Sequence, residues 1–204
     1  MVAKWRVTLN RNVRRKMENL GERLVGDYLR HIKGCDFVDF NVYTKAAQGE
    51  IDVIGVNLMR KKVFICEVAT HLTTGLQYTK NARPDTARRL IAKFRKDIAY
   101  GSEAFVGYEV TYMLWSPVVR RSKGKVEYNQ FAHLDQIKNE VKAQANVDVV
   151  FVVNEGYIAA VDELRKVARN ETKELKSPVM RFLQIDEWSR NNVKKLSSHQ
   201  LHRC

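Results

Sequence analysis

Two short apolar runs, each interrupted by a carboxylate, constrain this chain more than any other feature. Glu50-Ile51-Asp52-Val53-Ile54-Gly55 is followed, across the polar stretch Asn57 to Lys62, by Val63-Phe64-Ile65-Cys66-Glu67-Val68-Ala69-Thr70. Runs of this length around a polar connection predict a hairpin, with strands over 50–57 and 62–70. Alternation places Glu50, Asp52 and Ile54 on one face of the first strand, and Val63, Ile65, Glu67 and Ala69 on one face of the second. Acids on half-exposed strands can simply point into solvent. The run Val63 to Cys66 argues against that, because consecutive apolar positions predict a strand covered on both faces. A carboxylate withdrawn from water needs a positive partner. Two neighbouring ones repel, and a divalent cation held by oxygen ligands, Mg²⁺ or Mn²⁺, relieves the repulsion.

Charge is the second constraint. A formal net charge of +13 favours a polyanionic partner, through a positive field and the release of counterions from phosphates. The cations cluster at Arg11, Arg14, Arg15 and Lys16, at Lys80, Arg83, Arg88, Arg89, Lys93, Arg95 and Lys96, and at Arg120, Arg121, Lys123 and Lys125. Clustering favours nucleic acid, most simply DNA, over an evenly basic surface or an anionic lipid. No apolar run approaches the roughly 18 residues of a membrane span. The start, Met1-Val-Ala-Lys-Trp-Arg, lacks the apolar stretch of a secretion signal. Cys35, Cys66 and Cys204 are odd in number and scattered, which argues against a disulfide framework or a zinc knuckle. A reducing cytoplasm is the expected compartment.

The 204 residues, 45% hydrophobic, suffice for one sizeable core. Met17, Leu20, Leu24, Tyr28 and Ile32 predict a helix over 16–33 that stops at Gly34. A strand over 36–44 and a turn from Ala46 to Gly49 precede the hairpin, and a loop from His71 to Arg83 follows it. Pro84 and Asp85 then open a helix to about Tyr100, buried through Ala87, Leu90, Ile91, Phe94 and Ile98. Further on, Val106–Trp115 reads as a strand, Leu134–Ala143 as a helix, Val147–Val153 as a buried strand and 155–170 as a helix. Val179–Ile185 fits a strand or a short helix, and the polar tail from Asn191 is expected to fray. With no linker-like segment, the expectation is one α/β domain over 1–204, a central mixed sheet flanked by helices. Residues 18–120 form its core, and 121–204 a β-α-β extension packed on it.

The order helix, strand, Asp-bearing strand, Glu-bearing strand, basic helix, strand resembles the PD-(D/E)XK nuclease superfamily, in its branch related to Holliday-junction resolvases. Gly21-Glu22, Tyr28-Leu29, Gly49-Glu50-Ile51-Asp52 and Glu67-Val68-Ala69-Thr70 carry the likeness, which covers about half of the chain. It implies a restriction-endonuclease-like fold and Mg²⁺- or Mn²⁺-dependent hydrolysis of DNA phosphodiester bonds, in restriction, repair or defence. Asp52 and Glu67 would hold the metal with the backbone carbonyl of Val68, and Glu22 would complete or orient the site. Lys80, Arg83, Arg88, Arg89, Lys93, Arg95 and Lys96 would hold nucleic acid. The departure is Ala69, where the superfamily carries the lysine that orients the attacking water. Three explanations stand: an engineered knock-out, transfer of the role to Lys80, Lys93 or His71, or a degenerate nuclease that binds DNA without cutting. A protein-interaction subunit with a basic docking surface is a further reading. Oligomeric state is not written in any segment, a homodimer among the forms left open.

Overall fold

A computed structural model describes residues 19–43, 50–122, 124 and 128–201. The Ala46–Gly49 turn, the cations at 11–16, Lys123, Lys125 and the Met17 start of the first helix lie outside them. Helix α1 (Leu20–His31) begins at Asn19, whose side chain accepts the Glu22 N–H. It ends against Gly34, which takes the left-handed φ of +67° that glycine adopts without strain. Strands β1 (Phe37–Tyr43), β2 (Glu50–Asn57) and β3 (Lys62–Val68) form an antiparallel meander. A two-residue-strand ladder, β4 (Thr79–Lys80) with β5 (Arg83–Pro84), leads into helix α2 (Thr86–Ala104). Strand β6 (Glu109–Ser116), helix α3 (Gln130–Ala145) and strand β7 (Val149–Val153) follow, then helices α4 (Glu155–Asn170) and α5 (Pro178–Leu201).

The main sheet runs β1-β2-β3-β6-β7. Its β3-β6-β7 half is parallel, because α2 and α3 return the chain to the same end each time. One face packs Ile54, Val63, Ile65 and Leu114 against Leu90, Ile91 and Phe94 of α2 and Leu134, Ile137 and Val141 of α3. The other packs Val53, Cys66, Met113 and Trp115 against Val25 and Leu29 of α1, Leu164 and Ala168 of α4 and Met180 and Leu183 of α5. The sheet is thus covered on both sides, as the Val63–Cys66 run requires. No described helix is long and apolar enough to cross a membrane.

The C-terminal part departs from expectation. Residues 179–185 open a long helix, not a strand, and the polar stretch from Asn191 continues it to Leu201. The extension is therefore β7-α4-α5, and β7 itself is the edge of the sheet. The sequence Val-Met-Arg-Phe-Leu-Gln-Ile satisfies both periods over so short a window. Burial of Val179, Met180, Leu183 and Glu187 shows that the helical period governs. Glu187 pairs with Arg169, and Asp186 with Arg165 and Arg190, which ties α5 to α4.

Candidate active site

Asp52, near the start of β2, and Glu67, near the end of β3, come to the same end of the sheet because the two strands are antiparallel. The backbone ladder between them runs from Asn57↔Lys62 to Val53↔Cys66. One position further, the Asp52 side chain serves instead, its Oδ2 accepting the Val68 N–H at 2.8 Å. Helix α2 crosses this end and supplies two more groups. Lys93 donates to Glu67 Oε2 and lies 3.6 Å from Asp52 Oδ1. One turn on, Asp97 is 2% exposed and interacts with both Glu67 and Lys93. Two carboxyl groups thus flank one ammonium, and a third, Asp97, lies within its electrostatic reach.

Electrostatics follow from that imbalance. Burial, then the neighbouring Asp52, push the Glu67 carboxyl well above the usual carboxylate range despite Lys93. Burial also raises Asp97, to about 7, against the pull of Lys93. Burial alone would lower Lys93, but the Glu67 and Asp52 carboxylates outweigh it and hold the ammonium charged. One cation does not neutralise the cluster, so protons are retained on carboxyls that would otherwise ionise. Glu67 Oε1 and Asp97 Oδ2 are buried without a hydrogen-bond partner.

Neighbouring segments are pinned around this cluster. Gln130, the first residue of α3, accepts the Leu76 and Arg120 N–H groups on Oε1 (3.0 and 2.9 Å) and donates to the Thr74 carbonyl (2.8 Å). Asn154 bonds both the N–H and the carbonyl of Val119. Thr86, buried at the start of α2, accepts the Tyr78 N–H at 3.0 Å. Glu22 is buried at the start of α1, its carboxylate taking Asn19 Nδ2 at 2.5 Å and Asn41 Nδ2 at 2.9 Å. A Cβ on Gly21 would overlap the Thr70 side chain, so this helix start lies close against the chain leaving β3.

Ala69 follows Glu67 on the same face, as alternation predicts, but it is 2% exposed and packed in the apolar cluster with Leu76 and Ala87. Lys93, expected both among the DNA-contacting cations and as a candidate for the missing lysine, sits at the carboxylates. Lys80 and Arg83 face each other across the β4–β5 ladder, exposed. Arg88 forks onto Asp85 at 2.5 Å, Arg95 bonds Gln144 at 2.5 Å, and Arg89 covers the Tyr78 ring at 4.6 Å. Lys96 is exposed on α2. Sequence reasoning passed over Asp97 and Gln130. Asp97 had a signal: it is an acid three residues after Phe94, on the helix's own buried stripe. Gln130 had none.

Among the described residues no group of three His, Cys, Asp or Glu side chains is arranged to hold a metal ion. Magnesium, however, is commonly held by one or two carboxylates, with water and substrate phosphate completing the shell. Asp52 and Glu67 fit that smaller set by the chemistry of their donors, two carboxyl groups on adjacent strands brought to one ammonium. Comparison with protein-family models, with curated proteins and with solved structures finds no match to this chain.

Proposed function

We propose that this chain is a metal-dependent endonuclease of the PD-(D/E)XK kind, on a restriction-endonuclease-like fold, that hydrolyses DNA phosphodiester bonds. The lysine absent at Ala69 is supplied by Lys93 from α2. The observation that carries the reading is the Lys93 ammonium set between Glu67 and Asp52, on the sheet face where the residue after next to Glu67 would otherwise bring it. The mixed sheet, with the acids on adjacent antiparallel strands and a basic helix following, supports the same reading. So does a pair of like charges, Lys80 and Arg83, directly opposite on a ladder, where they destabilise one another unless an anion is drawn between them.

A Mg²⁺ or Mn²⁺ ion held by Asp52, Glu67 and the Val68 carbonyl would activate a water and neutralise charge on the phosphoryl oxygens. The chain's own groups do the rest. Lys93 offers N–H donors to a phosphoryl oxygen or to the attacking water, at a position fixed by the Phe94 anchor of its helix. Asp97, its carboxyl raised to about 7 by burial, keeps part of its proton at neutral pH and so limits the negative charge that an incoming phosphate meets. Lys80 and Arg83 bear on the backbone, which positions the substrate without reading its sequence.

The test compares wild type, Lys93→Met, Asp52→Asn and Ala69→Lys on plasmid and branched DNA with Mg²⁺ or Mn²⁺. Wild type should cut, and Lys93→Met should lose about a hundredfold or more. Asp52→Asn should abolish both cutting and the metal-induced rise in melting temperature. Ala69→Lys should not raise activity, because its side chain enters a packed apolar cluster. A chain that is inert until Ala69→Lys restores cutting would be a degenerate or disabled nuclease. One that binds DNA but neither cuts nor responds to metal in any form would be a non-catalytic DNA-binding module.

A further inference from the structure

Beside the acidic cluster the chain assembles an aromatic and guanidinium stack that phosphate hydrolysis does not need. Tyr78 lies after β3, half-buried, with Arg89 of α2 over its ring at 4.6 Å and the exposed His71 ring edge-on at 5.2 Å. Arg89 and Lys93 are one helical turn apart, on the same side of α2. With Arg89 over Tyr78 and Lys93 at the carboxylates one turn on, the stack lies at the edge of the cluster. Its backbone is held on both sides: the Tyr78 N–H donates to Thr86 Oγ1 at 3.0 Å, and its carbonyl accepts the Asp85 N–H at 2.8 Å. The next residues form the β4–β5 ladder with Lys80 and Arg83.

We infer that His71, Tyr78 and Arg89 form a stacking platform for an unpaired nucleobase next to the phosphate that the acidic cluster addresses. The platform rests on the nucleic-acid reading above and narrows its substrate class to single strands or flaps, as opposed to continuous duplex. Rings and guanidinium planes stack on any base, but only on one whose face is free. A paired base inside a duplex offers its faces to its neighbours instead. Flanking cations on the ladder and on α2 give the backbone a path to either side. Fixing the tyrosine through α2 also means that little ordering remains for binding to accomplish.

The probes are a short single strand, a flap and a blunt duplex of the same sequence, each with 2-aminopurine at one position. They are titrated at low salt in EDTA, so that no cleavage intervenes. The wild-type chain should bind the strand and the flap more tightly than the duplex and quench the unpaired 2-aminopurine. His71→Ala and Arg89→Ala, both at exposed positions, should remove the quenching, and Tyr78→Leu should weaken strand binding about tenfold or more. Duplex binding should change less. Binding that ignores base pairing, with quenching absent or untouched by His71→Ala and Arg89→Ala, would overturn the platform and leave the nuclease reading standing. If no probe binds, the nucleic-acid reading itself falls.

Discussion

At the residue scale, Asp97 sets the electrostatic character of the site. Its carboxyl is raised from an ordinary 3.8 to about 7, chiefly by burial. The folded chain therefore holds this proton more tightly than the unfolded one. Its contribution to stability is complete below about pH 4 and is lost as pH rises through about 7. The gap bounds the effect at about 4 kcal/mol. Metal-free protein unfolded by denaturant at pH 5 to 8 should weaken with rising pH, and Asp97→Asn should flatten that trend. A wild-type profile parallel to the variant's would refute the buried-proton account. The acids at 52 and 67 were legible because alternation on a strand leaves a misplaced charge conspicuous. Asp97 was hidden by the basic residues beside it. A helix whose Arg88, Arg89, Arg95 and Lys96 advertise a charged surface draws attention from the one acid on its buried stripe.

At the element scale, side chains add to the ladder bonds at the sheet end that bears the cluster. Gln130 joins the chain after β3 to the chain after β6 through three hydrogen bonds. Gln130→Leu would remove these three bonds and leave the Leu76 N–H only its bond to the Val118 carbonyl, at 2.9 Å, at a cost of about 0.5–1.5 kcal/mol for each bond lost. The expected result is a lower denaturation midpoint, together with raised amide exchange confined to residues 72–78 and 118–120. An unchanged exchange pattern would mean that the tether is redundant. The strands and helices themselves were readable. Glu50–Asn57 and Glu155–Asn170 fall where periodicity and turn residues put them, and the antiparallel hairpin pairs as expected. What failed was α5. Its first turns are apolar at both periods, and a tail of Ser, Asn and Lys reads as a fraying end. The first half of that helix docks on α4 through tertiary ion pairs, Arg165 with Asp186 and Arg169 with Glu187, which no local window contains.

At the scale of the molecule, a chain of net charge +13 should bind nucleic acid with a steep dependence on salt, near −0.9 in log affinity against log salt per duplex phosphate neutralised. The cations should not count equally. Arg88 is already forked onto Asp85, whereas Lys80 and Arg83 stand exposed and opposed. Lys80→Ala with Arg83→Ala should therefore lower the slope by about two, and Arg88→Ala by well under one, as measured by salt titrations of a labelled duplex. Equal losses would place the backbone path along α2 and away from the ladder. Asp52, Glu67, Lys93 and Asp97 also share a narrower property: all fall between residues 52 and 97, on two paired strands and the helix after the next loop. Among the described residues, β7, α4 and α5 add no group to this cluster. On the proposed reading the site is therefore encoded as one contiguous stretch, while the later helices serve it as cover: α3 closes one face of the sheet, and α4 and α5 close the other.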